Sequence, residues 1–314
     1  MFEMNIFSAA LIYIIMFCSS SLTIVLNSRI LLKKLKTQNA VHNSQLRIQY
    51  YCIFFYLIFA TFSCIHSGYM MHALHDPYRN HKVIFWTGNL ADSSRQVIGV
   101  GNAIIAFDRF LVMATPLTYS KKYCALMRQF YVLTVPLTVA AFFVIHLLYQ
   151  EQWFPSITFP QHVNVEVLYI LNLINTSALF ADIGITVIFL VMFWKFTKRQ
   201  VHDVNDLYLK SIKRANYIVI YQILLEMAII VVPITITVVF QYGFHINIPV
   251  FVGPYPHLLF VINTTACAVM YTRNISKNST NVSTRVGSRN SMNVMSTYVG
   301  SGVNNNNINI TTTR

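Results

Sequence analysis

Residues 215–240 read ANYIVIYQILLEMAIIVVPITITVVF, twenty-six positions with one charged side chain, Glu226. A helix of about 20 predominantly apolar residues spans the hydrocarbon core of a bilayer. This stretch is long enough to cross, and too apolar to be solvated as a surface helix. Six further stretches share its character, at approximately 6–27, 48–71, 89–114, 129–149, 165–194 and 253–272. A chain crossing lipid has to satisfy its backbone polar groups internally, which leaves helices as the economical solution. The pattern predicts an all-α membrane protein: a seven-transmembrane helix bundle over residues 1–272 and a tail over 273–314.

Composition agrees. Hydrophobic residues make up 55% of the 314 and charged residues 11%, against about 25% charged in an ordinary soluble domain. The net charge of +13 raises the question of nucleic acid, but such binding needs a basic face on a folded module. Here Lys and Arg fall in short blocks between apolar runs, as topology signals do, and no nucleic-acid partner is expected. The first apolar run exceeds the 7–15 residues of a signal-peptide core, and its basic residues follow it rather than precede it. It reads as a first helix. None of the five cysteines (Cys18, Cys52, Cys64, Cys124, Cys267) falls in a loop expected on the oxidising side. No Cys or His spacing suggests a metal site, and no cofactor is expected.

Orientation follows from the basic residues. The first connection carries Arg29, Lys33, Lys34, Lys36 and Arg47. The third has Arg109, Lys121, Lys122 and Arg128, and the fifth Lys195, Lys198, Arg199, Lys210, Lys213 and Arg214. The tail has Arg273, Lys277, Arg285, Arg289 and Arg314. These are twenty of the twenty-three Lys and Arg. Arg79 and Lys82 stand on the opposite side and Arg95 lies inside a span. Positive residues stay on the cytoplasmic face, so the N-terminus is expected outside and the C-terminus in the cytoplasm. The tail is rich in Asn, Ser, Thr and Gly and lacks the apolar surface to fold, so it is expected to be disordered. Its sequons at Asn274, Asn278, Asn281 and Asn309 then face the cytoplasm unmodified, and its hydroxyls are candidate phosphate acceptors.

The cytoplasmic end of the third span carries Asp108-Arg109-Phe110, followed by Pro116-Leu117 and Tyr119. An ionisable pair at a membrane helix end is a functional candidate, and an Arg that exchanges partners supplies the bistable element of a switch. The string resembles the Asp-Arg-Tyr…Pro-Leu-x-Tyr signature of rhodopsin-like G-protein-coupled receptors, with Phe110 replacing Tyr, on the same helix and at the same spacing. The resemblance implies that Asp108, Arg109, Phe110, Pro116 and Leu117 form the switch and the contact with a heterotrimeric G protein. Other family marks differ. The second span has no acidic residue, Val231 stands two residues before Pro233 in place of Trp, and Asn263 and Tyr271 are present without Asn-Pro-x-x-Tyr. The cysteines of the family's outer disulfide are also absent. Within the receptors, the chain looks most like the nematode serpentine chemoreceptors. That implies a multi-pass plasma-membrane protein surrounded by lipid, in a sensory cilium by resemblance, detecting a small extracellular molecule.

Ligand sites of helix bundles lie between helices. In the outer half of the third span, Asp92, Arg95 and Gln96 are the polar candidates. Asp92 and Arg95 are three apart and share a face, either as an ion pair satisfying itself or as ligand contacts. His66, Tyr69 and His257 are further candidates, with hydrogen bonds to neighbouring helices as the alternative role. Asp182, Glu226, Pro233 and Asn263 are read as structural or as parts of the helix switch, since a buried acid facing lipid would cost about 3 kcal/mol.

Two other classes compete. A membrane transporter or ligand-gated channel subunit calls for charges along a path, broken helices or internal repeats, and the chain has few such charges and no repeat. A membrane enzyme calls for a nucleophile or metal signature, and none of the common ones is present; the chain is not expected to be an enzyme.

Overall fold

A computed structural model of the chain describes residues 6–36, 47–74, 77–115, 119, 123–151, 159–199, 207–244 and 254–273. They form α1 (Ile6–Lys36), α2 (Arg47–Ala73), α3 (Pro77–Ala114), α4 (Cys124–Leu148) and α5 (Val165–Arg199). The sixth helix, α6, runs through Leu207–Glu226, a π-helical turn at Met227–Val231, and Val232–Gly243. A final helix, α7, occupies residues 255–273. Six helices are long and apolar enough to cross a membrane: Phe7–Lys36, Ile48–Ala73, His81–Ala114, Cys124–Leu148, Val165–Lys195 and Asn216–Phe240. The protein is therefore an all-α, multi-pass membrane protein. The expected tail, and with it the four sequons, lies outside the described residues.

Local chemistry sets the helix ends. Pro77 opens α3, where its missing N–H is not needed. Asn164 caps α5, its side-chain oxygen accepting from the backbone N–H of Glu166 at 3.0 Å and of Val167 at 3.3 Å. Glu166 places a negative charge in the first turn, which suits the helix dipole. α1 continues past the apolar run that ends at 27, because Leu31, Leu32 and Leu35 alternate with lysines that are equally good helix formers. Its last turns carry Lys33, Lys34 and Lys36, and the Lys34 ammonium lies 3.8 Å from the centre of the Tyr50 ring on α2.

The irregularity in α6 has a cause. Pro233 has no N–H to offer the carbonyl four residues back, and its ring would press on that carbonyl. The helix widens instead: the N–H of Val232 bonds the carbonyl of Met227, five residues back. Such π turns recur at functional sites. This one begins directly after Glu226.

α3 is the central helix. Of its most apolar window 67% is buried, against 22% in α4, where Leu133, Leu137 and Leu148 point outward. An outward leucine stripe suits lipid. Lipid also removes the hydrophobic reward for helix association, leaving close packing and interhelical hydrogen bonds. The interior accordingly contains much polar matter: Ser20, Thr23, Asn27, Ser67, Asn102 and Thr264 are buried. Thr23 of α1 and Thr265 of α7 bond through their hydroxyls at 2.8 Å. At the end carrying the N-terminus, an apolar cluster joins Ala9, Ile12, Tyr13 and Met16 of α1 to Met70 and Ala73 of α2 and Ile84 of α3.

The connection from α4 to α5 folds back on the bundle. Gln150 pairs with Val163, and the backbone N–H of Glu151 donates to the carbonyl of His162 at 2.9 Å. A short 3₁₀ turn, Phe159–His162, then drives the Phe159 ring between Phe85 of α3 and His146 of α4, with centroids 5.9 and 5.3 Å apart. The fit depends on Gly88: a Cβ there would lie 2.5 Å from the Phe159 Cβ. Gly88→Ala is therefore expected to destabilise the protein by about 1–3 kcal/mol, the usual cost of overpacking. Thermal unfolding in detergent measures it, and combining the change with Phe159→Gly, which removes the Cβ that the new methyl would meet, should cost less than the sum of the two single changes, as coupled neighbours do.

Candidate functional site

Three polar clusters lie along α3. At the end of the bundle that carries the basic residues, Arg109 and Asp108 form an ion pair at 3.2 Å, each side chain only 1% exposed. The Tyr119 hydroxyl donates to the second Asp108 oxygen, and its backbone N–H bonds the carbonyl of Thr115 at 2.8 Å. Tyr119 is itself buried. Burial, reinforced by the adjacent Asp108 charge, pushes the Tyr119 phenol above its ordinary range, so it remains a donor. Charges taken this far out of water demand partners, and each of these has one. Phe110 stacks on Phe107 with centroids 6.1 Å apart. Pro116 and Leu117 lie outside the described residues.

In the middle, Asn102 is a hub. Its side-chain oxygen accepts from the Tyr56 hydroxyl of α2 at 2.7 Å and from the Gln222 amide of α6 at 2.5 Å, while its own amide donates to Glu226 at 2.5 Å. The Tyr271 hydroxyl of α7 donates to the Gln222 side-chain oxygen. Four helices thus meet in one hydrogen-bonded network directly beneath the π turn of α6. Asp182 of α5 is buried within electrostatic reach of Glu226. Glu226 was singled out in sequence as a buried acid; Asn102, Gln222 and Tyr56 were not, because amides and tyrosines recur throughout these spans. Asn263 is fully buried, with neither side-chain atom partnered among the described residues, and Pro233 follows the π turn.

The third cluster lies toward the end carrying the N-terminus. Asp92 and Arg95 pair at 3.1 Å across one turn of α3, with side chains 18% and 12% exposed. The other Asp92 oxygen lies 3.9 Å from His146 Nε2 on α4. The opposite ring nitrogen, Nδ1, is 3.0 Å from the Asn89 side-chain oxygen. The Asn89 amide is oriented by donating to the carbonyl of Phe143 at 3.2 Å, and its oxygen also accepts from Ser93 at 2.9 Å. His146 therefore donates from Nδ1 to Asn89 and turns Nε2 toward Asp92. The Arg95 guanidinium lies 5.2 Å from the centre of the Phe260 ring on α7.

His66 and His257 face this group from α2 and α7, their rings 6.5 Å apart. His66 Nδ1 is 3.1 Å from the Thr87 hydroxyl, and His257 Nε2 is 3.1 Å from Ser63. Thr87 commits its proton to the carbonyl of Val83 at 2.8 Å, so His66 is the donor of their bond. Gln96 is buried beside the cluster on α3. Tyr69 packs instead on the apolar group around Tyr13 and Met70. The sequence candidates Asp92, Arg95, His66 and His257 are thus brought together. His146, Asn89, Ser93, Thr87 and Ser63 join them without having been singled out; the signal for His146 was a histidine in an otherwise apolar span.

No family model matches the chain, and no curated protein matches it. The functional reading rests on the residues themselves.

Proposed function

We propose that the chain is a G-protein-coupled receptor of seven membrane spans, with its N-terminus outside and its tail in the cytoplasm. It binds a small extracellular molecule, as a chemosensory receptor does, and signals at the plasma membrane through a heterotrimeric G protein. α7 supplies the seventh span, and the outer cluster on α3 is the ligand site.

The observation that carries the reading is the Asp108–Arg109 pair. Both side chains are 1% exposed, and Tyr119 clasps Asp108 from beyond the helix end. The resemblance assigns these residues to G-protein coupling, and the geometry is that of a closed latch. Opening it frees the Arg109 guanidinium for another partner. The network of Asn102, Gln222 and Glu226 ties α6 to α3 beside the π turn, the place where α6 bends most readily. A ligand shifts the balance only by its difference in affinity for the two states, so contacts that differ between latched and open bundles are the ones that matter.

Second-messenger output from cells expressing wild type and Arg109→Ala tests the proposal against a panel of small volatile and water-soluble molecules. Surface protein is quantified in parallel. The expected result is a response in wild type that is lost in an equally expressed mutant. A response that survives in Arg109→Ala contradicts it.

A further inference from the structure

The two oxygens of Asp92 are served unequally. Oδ1 pairs with Arg95 at 3.1 Å. Oδ2 faces Nε2 of His146 at 3.9 Å, beyond hydrogen-bond length. The imidazole is held for that approach. Its Nδ1 donates to the Asn89 oxygen at 3.0 Å, the Asn89 amide is anchored on the carbonyl of Phe143, and Phe159 packs edge-on against the ring. With Nδ1 committed as a donor, Nε2 is the nitrogen left to gain or lose a proton. Bare, it turns a lone pair toward a carboxylate oxygen, and the two repel. Protonated, it is a cation facing an anion, and the gap closes toward the length of a charge-assisted hydrogen bond, about 2.8 Å. A proton needs no cavity, and here it has a way in. The His146 side chain is 1% exposed, but that of Asp92 beside it is 18% exposed.

We propose that this cluster binds a proton from the outer solution on Nε2 of His146, which makes extracellular acidity an input to the site. This rests on the reading of the cluster as the receptor's outer site and adds a second input to it. The proton leaves hydronium or a buffer acid, forms an N–H bond at Nε2 and breaks no bond in the protein. Asp92, Arg95 and His146 together pass from zero net charge to plus one. The apolar surroundings and the Arg95 guanidinium oppose that change, and the Asp92 carboxylate favours it. His66 on α2 and His257 on α7 face the same group, but their ring contacts are to the hydroxyls of Thr87 and Ser63. The α4–α5 connection contributes the Phe159 ring and, in the same turn, His162. A His146 ring drawn toward Asp92 pulls on the seat of Phe159, and an Asp92 shared between two cations holds Arg95 less tightly. Both are differences between states, which is what an input to a two-state bundle has to supply.

The test follows histidine protonation and signalling side by side. The full chain with isotope-labelled histidine, in lipid nanodiscs, is titrated by NMR from about pH 7.5 to about pH 5, a range that brackets the ordinary histidine value of about 6.5. One histidine signal, missing from His146→Asn, is expected to pass from singly to doubly protonated within it. The asparagine keeps a donor for Asn89 and removes the nitrogen that faces Asp92. Asp92→Asn takes away the attracting charge, so the transition should need about tenfold more protons. Arg95→Gln takes away the repelling charge, so it should need about tenfold fewer. Should His146→Asn not fold, the signal is still recognised as the one these two variants move in opposite directions. Cells expressing wild type are expected to change second-messenger output over the same outer pH range, and cells with equal surface amounts of His146→Asn are not. A His146 signal that keeps one protonation state across the whole range overturns the inference. So does a transition that neither Asp92→Asn nor Arg95→Gln moves, or a pH response that survives in His146→Asn. The NMR titration needs no G protein. Titration as expected, with no output to protons or to the panel of small molecules, leaves the proton site standing and removes the receptor proposal. Output evoked by a small molecule, with no titration of His146, does the reverse.

Discussion

Asp108→Asn raises ligand-free signalling about tenfold over wild type, the population change that accompanies losing roughly 1.4 kcal/mol from the latched state. The amide keeps the size of the carboxylate and still accepts the Tyr119 hydroxyl, so the change removes chiefly the charge that holds Arg109 at 3.2 Å. Because both groups are buried, the attraction is screened far less than at a surface. Tyr119→Phe removes one hydrogen bond and leaves the ion pair, so it should move basal output in the same direction by a smaller factor. Combined with Arg109→Ala, the Asp108→Asn change should have no effect on output. Basal second-messenger levels, normalised to surface protein, compare the three variants with wild type. Equal basal output in Asp108→Asn and wild type would mean that the pair is a structural fixture rather than a latch.

The second large effect falls on stability. Asn102→Leu is expected to lower stability by about 2 kcal/mol, because three hydrogen bonds end on this side chain and a membrane interior returns about 0.6 kcal/mol for each on average, with more where a polar group is left stranded. The stranded groups are identifiable: the Tyr56 hydroxyl loses its acceptor, Gln222 loses one of its two, and Glu226 loses its amide donor. Tyr271→Phe breaks one bond at the rim of the same network and should cost a third as much. Thermal unfolding in detergent, together with surface expression, distinguishes a hub from a set of independent bonds. Similar losses for Asn102→Leu and Tyr271→Phe would argue against a hub.

The six long apolar helices were legible because length and apolarity leave few alternatives. Residues 215–240 announce a crossing helix whatever packs beside it. The helix ends were less legible: apolarity stops at 27 in α1, whereas the helix runs on to Lys36, since helix propensity does not require lipid. The Pro233 irregularity was visible as a proline, but a kink and a π turn satisfy the same missing N–H, and only packing chooses between them. Among the candidate residues, Asp92 and Arg95 were readable because an i,i+3 spacing fixes a shared face on a single helix. His146 and Asn102 were not. Their roles come from partners on other helices, fifty to more than one hundred residues away in the chain, and no local pattern encodes such a meeting. Phe159 was hidden for the same reason: its seat is the absence of a side chain at Gly88.

The most direct measurement is guanine-nucleotide exchange on purified heterotrimers of each G-protein class, catalysed by the full chain in nanodiscs. Wild type, Asp108→Asn and Arg109→Ala are compared at equal concentration. The account predicts that at least one class exchanges faster with wild type, faster still with Asp108→Asn, and at the uncatalysed rate with Arg109→Ala. No acceleration of any class, even by Asp108→Asn, would contradict it.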